Sequence, residues 1–137
     1  MALQVAAQMP GVNMCLFKLI GANMNVTTDQ PLVPLFGVDA VPLTYVLDRI
    51  LVTNASASLT TAAGGVYNAV SKPGAGILVA AAQAYSTLTG ATLGLNLTLT
   101  ALASGAQSTV PVFSLTTGQG SAATADIYAF GRIMVGV

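Results

Sequence analysis

The sequence contains no histidine, no glutamate and no tryptophan, and it has a single cysteine among its 137 residues. Without histidine the chain lacks the usual general base of hydrolases and the commonest nitrogen ligand of metal sites. Cys15 alone forms no disulfide within the chain and builds no thiolate metal cluster. Its apolar surroundings predict a buried, unreactive thiol, with an intermolecular disulfide as the alternative. We therefore expect no metal site, no cofactor and no catalytic residue.

Charged side chains are scarce as well, because they make up 6% of the chain and the net charge is zero. Soluble domains carry about 25%. The lysines and arginines are scattered rather than clustered, so no nucleic-acid partner is expected. The aspartates lie between Asp29 and Asp126 without the close spacing of a calcium loop. Two aspartates that converge as acid and base, as in a glycosidase, are the alternative to a chain that is not an enzyme.

A surface with so few charges binds water poorly. A folded chain of this size exposes about 6,600 Å², so each charge serves roughly 800 Å², about one partner's share of a standard interface. If other protein covers much of that surface, its poor hydration is explained. The alternative is a neutral surface wetted by serine, threonine, asparagine and glutamine. The first interpretation predicts a homo-oligomer or a larger assembly.

The mean hydropathy of +0.76 raises the question of a membrane segment. Between Lys72 and Asp126, where no charge occurs, the longest strongly apolar run is 77–82. A membrane helix needs about 20 mostly apolar residues, so we expect no membrane partner. The wider stretch 77–88 predicts a strand followed by a turn, because its flanks are β-rich, and a short helix over 77–84 is the alternative.

Short β-rich segments alternate with turn residues along most of the chain. The clearest is 93–100, where leucines at every second position share one face and mostly polar residues share the other. Glycines at 64–65 and the stretch 72–74 predict turns. The predicted strands are 14–22, 44–59, 66–69, the first part of 77–88, 93–100, 110–117 and 124–135.

About seven or eight short strands without a long amphipathic helix are typical of an all-β domain, an antiparallel β-sandwich that is jelly-roll-like. We assign residues 14–137 to this single domain. Residues 1–13 have no charge and no strict period, and they predict an extended N-terminal arm that packs on a neighbour. The prolines within 27–43 exclude a central strand there and predict a loop or an edge segment.

Asp48 and Arg49 fall on an early predicted strand, and Asp126 and Arg132 fall on the last. Adjacent residues of a strand point to opposite faces, so Asp48 and Arg49 are not expected to pair with each other. Two interpretations of the four charges remain open. They form buried or interfacial ion pairs that set the register between subunits, or they are solvated side chains.

Two segments carry a family resemblance. RILVTNASASLTTAAGGVYNA at 49–69 and SLTTGQGSAATADIYAFGRI at 114–133 resemble small structural proteins of tailed bacteriophages. The resemblance extends over 44–137 and includes no catalytic residue. Proteins of this kind are jelly-roll or sandwich modules. Many are trimers that sit on the capsid as cement or decoration proteins, and others belong to head fibres, tail fibres or tail tips.

The resemblance implies a capsid decoration or cement subunit, a homotrimer that contacts the major capsid protein in the virion after assembly in the host cytoplasm. In that setting we expect the arm and the proline-rich loop to contact neighbours, with apolar burial contributing about 25 cal/mol per Å² before association costs. The expected contact residues are Leu3, Val5, Met9, Leu32, Val33, Leu35 and Phe36, together with Asp48, Arg49, Asp126 and Arg132.

The alternative is a tail or head-fibre module, an adhesin that binds a glycan on the host surface. Such sites usually present exposed aromatic side chains and polar loops. The tyrosines, Tyr45, Tyr67, Tyr85 and Tyr128, fall in predicted strands, where a place in the core or in an interface is expected. This favours the decoration subunit over the adhesin.

Overall fold

Within residues 13–35, 44–89 and 92–134, which the computed structural model describes, the chain forms nine β-strands and two short 3-10 turns. The strands are β1 Met14–Asn23, β2 Gln30–Pro31, β3 Val33–Pro34, β4 Tyr45–Thr53, β5 Ala63–Tyr67, β6 Ile77–Val79, β7 Gly94–Asn96, β8 Val112–Thr117 and β9 Thr124–Ile133. The 3-10 turns are Gly74–Gly76 and Leu102–Ser104. The prediction of an all-β chain is confirmed.

The strands form two antiparallel sheets that pack face to face as a β-sandwich. Sheet 1 has the order β3-β1-β9-β4-β7, and sheet 2 has the order β2-β8-β5-β6. The long strands β1 and β4 both pair with β9, which makes β9 the centre of sheet 1. The chain passes from one sheet to the other at every connection except β3 to β4 and β5 to β6.

The core lies between the sheets, because every second residue of a strand points to the same side. On β9, Ala125, Ile127, Ala129 and Ile133 are buried, and the residues that alternate with the first three are only partly buried. Burying a large aliphatic side chain stabilises the fold by roughly 1.5–3 kcal/mol. The apolar residues of both sheets that point inward form one cluster.

Two edge-to-face aromatic pairs anchor this core. Phe17 of β1 contacts Tyr45 of β4 with ring centroids 4.9 Å apart, and Tyr85 contacts Phe113 of β8 at 6.0 Å. Such pairs contribute about 0.5–1.5 kcal/mol beyond the burial of their area. The Tyr45 hydroxyl donates a hydrogen bond to the Thr109 carbonyl oxygen at 2.6 Å, which ties sheet 1 to the chain just before β8.

The glycines at 64–65 lie inside β5, so the turn predicted there is wrong. A side chain at Gly65 would overlap the carbonyl oxygen of Val79 on the neighbouring strand β6. Glycine is needed because the two backbones approach too closely to admit a Cβ atom. Glycine is favoured both in turns and where two backbones approach closely, so a pair of glycines in the sequence does not show which of the two is present.

The strand predicted over 93–100 is shorter in the structure, where only Gly94–Asn96 forms β7. Leu95 pairs with Val52 in sheet 1, whereas Leu99 bridges to Val79 in sheet 2. The segment therefore crosses between the sheets, and its leucines do not share one face, since Leu93 is 82% exposed. Alternation reports which residues point inward only while a segment stays in one sheet.

The described part of the proline-rich stretch forms edge strands, as predicted. β2 pairs with β8, and β3 pairs with β1, each at an outer position of its sheet. Proline is tolerated there because an edge strand forms hydrogen bonds on one side only. Residues 36–43 of this stretch, and residues 1–12 of the predicted arm, lie outside the described residues.

Residues 77–88 follow the strand-then-turn interpretation. β6 ends at Val79 and a turn follows at 81–82, with no helix in residues 77–88. The part of the chain that the structure describes contains no helix with the length and apolar content to cross a membrane.

Candidate interaction surface

One face of sheet 1 is turned away from the core. On β9 the residues that alternate with the buried ones are Asp126, Tyr128, Phe130 and Arg132, all partly or wholly exposed. Residues paired directly across antiparallel strands point to the same side, so their partners continue this surface. We call it the sheet 1 outer face, and it comprises Lys18, Val33, Val46, Arg49, Leu51, Asp126, Tyr128, Phe130 and Arg132.

Cationic and aromatic side chains lie together at the centre of this face. Arg49 of β4 pairs with Phe130 of β9, and its guanidinium lies 4.6 Å from the ring centroid. Tyr128 is flanked by Lys18 on β1 and by Leu51 on β4. A cation over an aromatic ring contributes about 0.5–1 kcal/mol at an exposed site and about 2 kcal/mol once water is excluded. A partner that covers this face therefore strengthens the Arg49–Phe130 contact.

Asp48 and Arg132 form an ion pair beside these residues. The distance from Arg132 Nε to Asp48 Oδ2 is 3.4 Å, and the side chains are 46% and 32% exposed. A β-bulge between Leu47 and Arg49 leaves both Asp48 and Arg49 exposed, so the prediction that the two residues point to opposite faces is wrong. An exposed pair of this kind contributes about 0–1 kcal/mol.

Asp126 forms no ion pair among the described residues, and it accepts hydrogen bonds from one backbone N–H and one side-chain amide instead. Its Oδ1 accepts a hydrogen bond from the Gly21 N–H at 2.8 Å, and its Oδ2 accepts one from the Asn54 side-chain amide at 3.0 Å. Gly21 has a φ of +69° and lies at a bulge of β1, where glycine is favoured. Asp126 thus joins β1, β9 and the end of β4, which is a structural role.

Cys15 is half-buried rather than buried. It pairs with Phe130 across β1 and β9, which places it at the margin of the sheet 1 outer face. Burial raises the pKa of its thiol, although a hydrogen bond to the Phe17 carbonyl oxygen and the charge of Lys18 act in the opposite direction. Since the thiolate is the reactive form, a raised pKa keeps this thiol unreactive.

The corresponding face of sheet 2 is covered by the chain itself. Tyr67 and Val112, a facing pair on β5 and β8, lie outside the core cluster yet are 2% and 4% exposed. The loops on this side are fastened by Asp29, which accepts hydrogen bonds from the Ser71 N–H and the Ser114 hydroxyl, both at 2.7 Å. The sheet 1 outer face, by contrast, keeps exposed or half-buried residues along β1, β3, β4 and β9.

The predicted contact residues fall in different settings. Val33 and Leu35 are 52% and 41% exposed and are available to a partner. Leu32 is 2% exposed and belongs to the core, so its side chain is not available. The four charged residues lie on or beside the sheet 1 outer face, whereas Leu3, Val5, Met9 and Phe36 lie outside the described residues.

A shallow open cavity of about 310 Å³ lies where β4 ends, lined by Thr53, Asn54, Ala55, Thr89, Thr92 and Leu93. Its lining contains hydroxyls and an amide but no aromatic ring and no charge. Across residues 13–35, 44–89 and 92–134, no group of three or more histidine, cysteine, aspartate or glutamate side chains is placed to hold a metal ion.

Comparison with known proteins gives no relative for this chain, since no protein-family model, no curated protein and no solved structure matches it. What supports a function is therefore the strand order, the scarcity of charge and the chemistry of the sheet 1 outer face.

Proposed function

We propose that this chain is a non-enzymatic structural protein of a virus particle, and within that particle a decoration subunit of a tailed-phage capsid. It binds copies of itself, as a homotrimer, and it contacts the major capsid protein. Burial of apolar surface at these contacts stabilises the particle. The subunit folds in the host cytoplasm and joins the particle there.

The observation that carries this proposal is the strand order. With the two-residue strand β3 set aside, β1-β9-β4-β7 packs against β2-β8-β5-β6. We infer a jelly roll from this order, because such a fold has eight strands in two sheets, joined as two Greek keys. Jelly rolls occur in viral capsids, in lectins and in cupins.

Composition favours the first of these classes. An enzyme on this fold needs bases or metal ligands, and the chain has neither histidine nor glutamate. A glycan-binding module usually presents exposed aromatic rings together with polar loops. Tyr45, Tyr67 and Tyr85 are buried, and the partly exposed Tyr128 and Phe130 stand on a strand of sheet 1 rather than in polar loops. A capsid subunit needs surface that neighbours cover, and a chain with 6% charged residues suits that condition.

The sheet 1 outer face suits a protein partner. Arginine and the aromatic residues are enriched among the side chains that contribute most to binding at interfaces. Arg49, Tyr128 and Phe130 lie together on this face. Because they stand on the two long central strands, their positions are set before a partner binds, which limits the entropy lost on binding.

Purified particles of the virus that encodes the chain provide the test. We expect peptide mass analysis to find the chain in these particles, and an electron-microscopy map to place it on the shell in a copy number that follows the shell symmetry. Particles stripped of the chain are expected to rebind it saturably and to be less stable to heat without it. Absence from the particle contradicts the proposal, and a position in a fibre supports the adhesin instead.

A further inference from the structure

The two ends of the sandwich differ in their chemistry. One end, which we call the Tyr45 end, is where β4 begins, β9 ends and β1 begins, as the pairs Tyr45–Ile133 and Met14–Gly131 show. The opposite end, the Thr53 end, is where β4 ends and β9 begins.

Apart from the exposed Leu93, the Thr53 end is closed by polar side chains that bind backbone. The Gln119 side-chain oxygen accepts hydrogen bonds from the Thr61 and Ala62 N–H groups at 3.0 and 3.1 Å. Asn25 accepts one from the Gly120 N–H at 2.7 Å. These contacts satisfy backbone N–H groups of the connecting loops within the single chain.

The Tyr45 end exposes apolar side chains. Leu102, Val110 and Met134 are 40%, 39% and 46% exposed. All three lie close to the start of β4. The Leu102 carbonyl oxygen accepts a hydrogen bond from the Gln107 side chain, and Gln107 pairs with Tyr45. Val110 follows Thr109, whose carbonyl oxygen accepts a hydrogen bond from the Tyr45 hydroxyl, and the Met134 N–H donates to the Thr44 carbonyl oxygen. Three large apolar side chains at one end of a chain so poor in charge indicate a surface that another protein covers.

Three of the four segments outside the described residues also join the fold at this end. Residues 1–12 precede β1, whose first residue pairs near the end of β9. Residues 36–43 leave after Leu35, which is hydrogen-bonded to Leu16, and they return at Thr44. Residues 135–137 follow Met134. Among these three segments Asp39 is the one charged side chain.

We propose that the Tyr45 end is a self-association site that binds residues 1–12 of a second copy of this chain. This inference rests on the proposed function, because it names the contact through which neighbouring subunits are joined. Residues 1–12 contain no charged side chain, and they include Leu3, Val5 and Met9 as apolar anchors. Fully extended, a segment of this length spans about 40 Å.

The other two segments are poorer occupants. Residues 36–43 are tethered at both ends, to Leu35 and to Thr44, so their reach is short. Residues 135–137 are too few to bury the three exposed side chains. A segment passed in turn from each copy to the next makes a head-to-tail contact, which gives a closed ring such as a trimer when the rotation between copies closes, and an open filament when it does not.

Disulfide trapping tests whether the segment binds a second copy. In a Cys15→Ala background, one chain carries Met134→Cys, and its partner carries Leu3→Cys, Val5→Cys, Ala7→Cys or Met9→Cys. After mixing and mild oxidation, we expect at least one combination to give a disulfide between the two different chains. Variants that carry both cysteines on one chain provide the comparison. The proposal is overturned if the disulfide forms only within such a chain, or if none of the four positions gives a disulfide.

Oligomer mass tests whether the exposed side chains form the site. Deletion of residues 1–12, and separately Leu102→Gln, Val110→Thr or Met134→Gln, are expected to raise the dissociation constant of the oligomer, about tenfold for each large apolar side chain that is replaced. Leu93→Gln is the matched control, because Leu93 is exposed at the Thr53 end. An oligomer that is unchanged by the deletion, or weakened equally by the control, overturns the proposal.

The two proposals fail separately. A chain that is absent from virus particles but still forms the interchain disulfide contradicts the decoration role and leaves the self-association site in place. A chain that is present on the shell and keeps its oligomer without residues 1–12 contradicts the self-association site and leaves the decoration role in place.

Discussion

Arg49 and Phe130 face each other across β4 and β9, with the guanidinium carbon 4.6 Å from the centroid of the ring. The contact fixes an arginine and an aromatic side chain in one geometry before any partner binds. Side chains that are already ordered lose less entropy on association, and these residue types are common where binding energy concentrates. The pair is therefore the expected hot spot of the sheet 1 outer face.

Variants of this pair are predicted to weaken particle binding. Arg49→Lys keeps the charge but removes the planar group that stacks on the ring, and Phe130→Leu removes the ring. We expect each to weaken binding to stripped particles about 30-fold, equivalent to ~2 kcal/mol. The free energy of unfolding is expected to change by less than about 1 kcal/mol, since the contact is exposed in the free subunit. Titration of particles with labelled protein and urea unfolding measure the two effects.

Lys72→Gln is the matched control for that experiment. Its Nζ donates to the Thr27 carbonyl oxygen on the other side of the sandwich, so the variant removes a cation without touching the sheet 1 outer face. We expect its particle binding to equal that of the unaltered chain. An equal loss in Lys72→Gln and Arg49→Lys indicates general charge attraction, and full binding by Phe130→Leu excludes a hot spot at this pair.

The hydrogen bonds of Asp29 lead us to expect a lower free energy of unfolding in acid. Hydrogen bonds from the Ser71 N–H, and then from the Ser114 hydroxyl, lower the pKa of this carboxyl group. Burial raises it by a smaller amount, and the charge of Lys72 has the smallest effect and lowers it. A carboxyl group whose pKa is lower in the folded state stabilises the fold above its ordinary pKa of about 3.9. That contribution is lost as the pH falls through the folded-state pKa. Urea unfolding at pH values between about 7 and 3 measures it.

Two variants test the assignment to Asp29. Asp29→Asn cannot ionise, and we expect it to be less stable near neutral pH and to lose less stability in acid than the unaltered chain. Ser114→Ala removes one of the two hydrogen bonds to Asp29. We expect its loss of stability in acid to be intermediate between that of Asp29→Asn and that of the unaltered chain. If Asp29→Asn keeps the full acid dependence, other carboxyl groups are responsible for it.

Gly131 on β9 is predicted to admit no side chain. A Cβ atom there would overlap the Val46 carbonyl oxygen on β4. We expect Gly131→Ala to cost about 2 kcal/mol, because the central strands must separate to relieve the overlap. Gly74→Ala, where no atom lies within 4 Å of the added Cβ, is expected to stay within about 0.5 kcal/mol. Thermal or urea unfolding of the two variants compares them, and equal stabilities contradict the close strand approach.

Because the Tyr45 and Tyr85 side chains are buried, we expect the chain to unfold in alkali. Burial raises the pKa of both hydroxyl groups well above the ordinary value, with a small further effect of Tyr67 on Tyr85. The unfolded chain ionises its tyrosines near pH 10, so stability falls as the pH rises above that value. We expect the tyrosinate absorbance of these two residues to appear together with the loss of folded structure.

Tyr45→Phe separates ionisation from unfolding. The variant loses the hydrogen bond to the Thr109 carbonyl oxygen, at a cost of about 1 kcal/mol. The tyrosinate absorbance released on alkaline unfolding is expected to fall by one residue. Ionisation of Tyr85 while circular dichroism still reports the folded chain contradicts the burial of this side chain.

Part of the candidate surface could be read from the sequence. The sequence predicts a role at an interface for Asp126 and Arg132, and they stand at alternate positions of a strand together with Tyr128 and Phe130. Because side chains at every second position of a strand point to the same side, all four lie on one face. The sequence did not identify Phe130 as a surface residue, because its exposure depends on which side of β9 faces the core. When both sides of a strand carry apolar residues, the alternating pattern does not show which side is buried.

The sequence by itself determined the all-β class, the edge character of the described proline-rich residues and the approximate positions of β1, β8 and β9, because alternation, turn propensity and proline geometry are local properties. The tertiary structure alone decided where each residue lies across strands. It placed Gly65 against Val79, divided the leucines of 93–100 between two sheets, and buried Leu32. These outcomes depend on which distant strand lies alongside, and that choice is made by packing of the whole core.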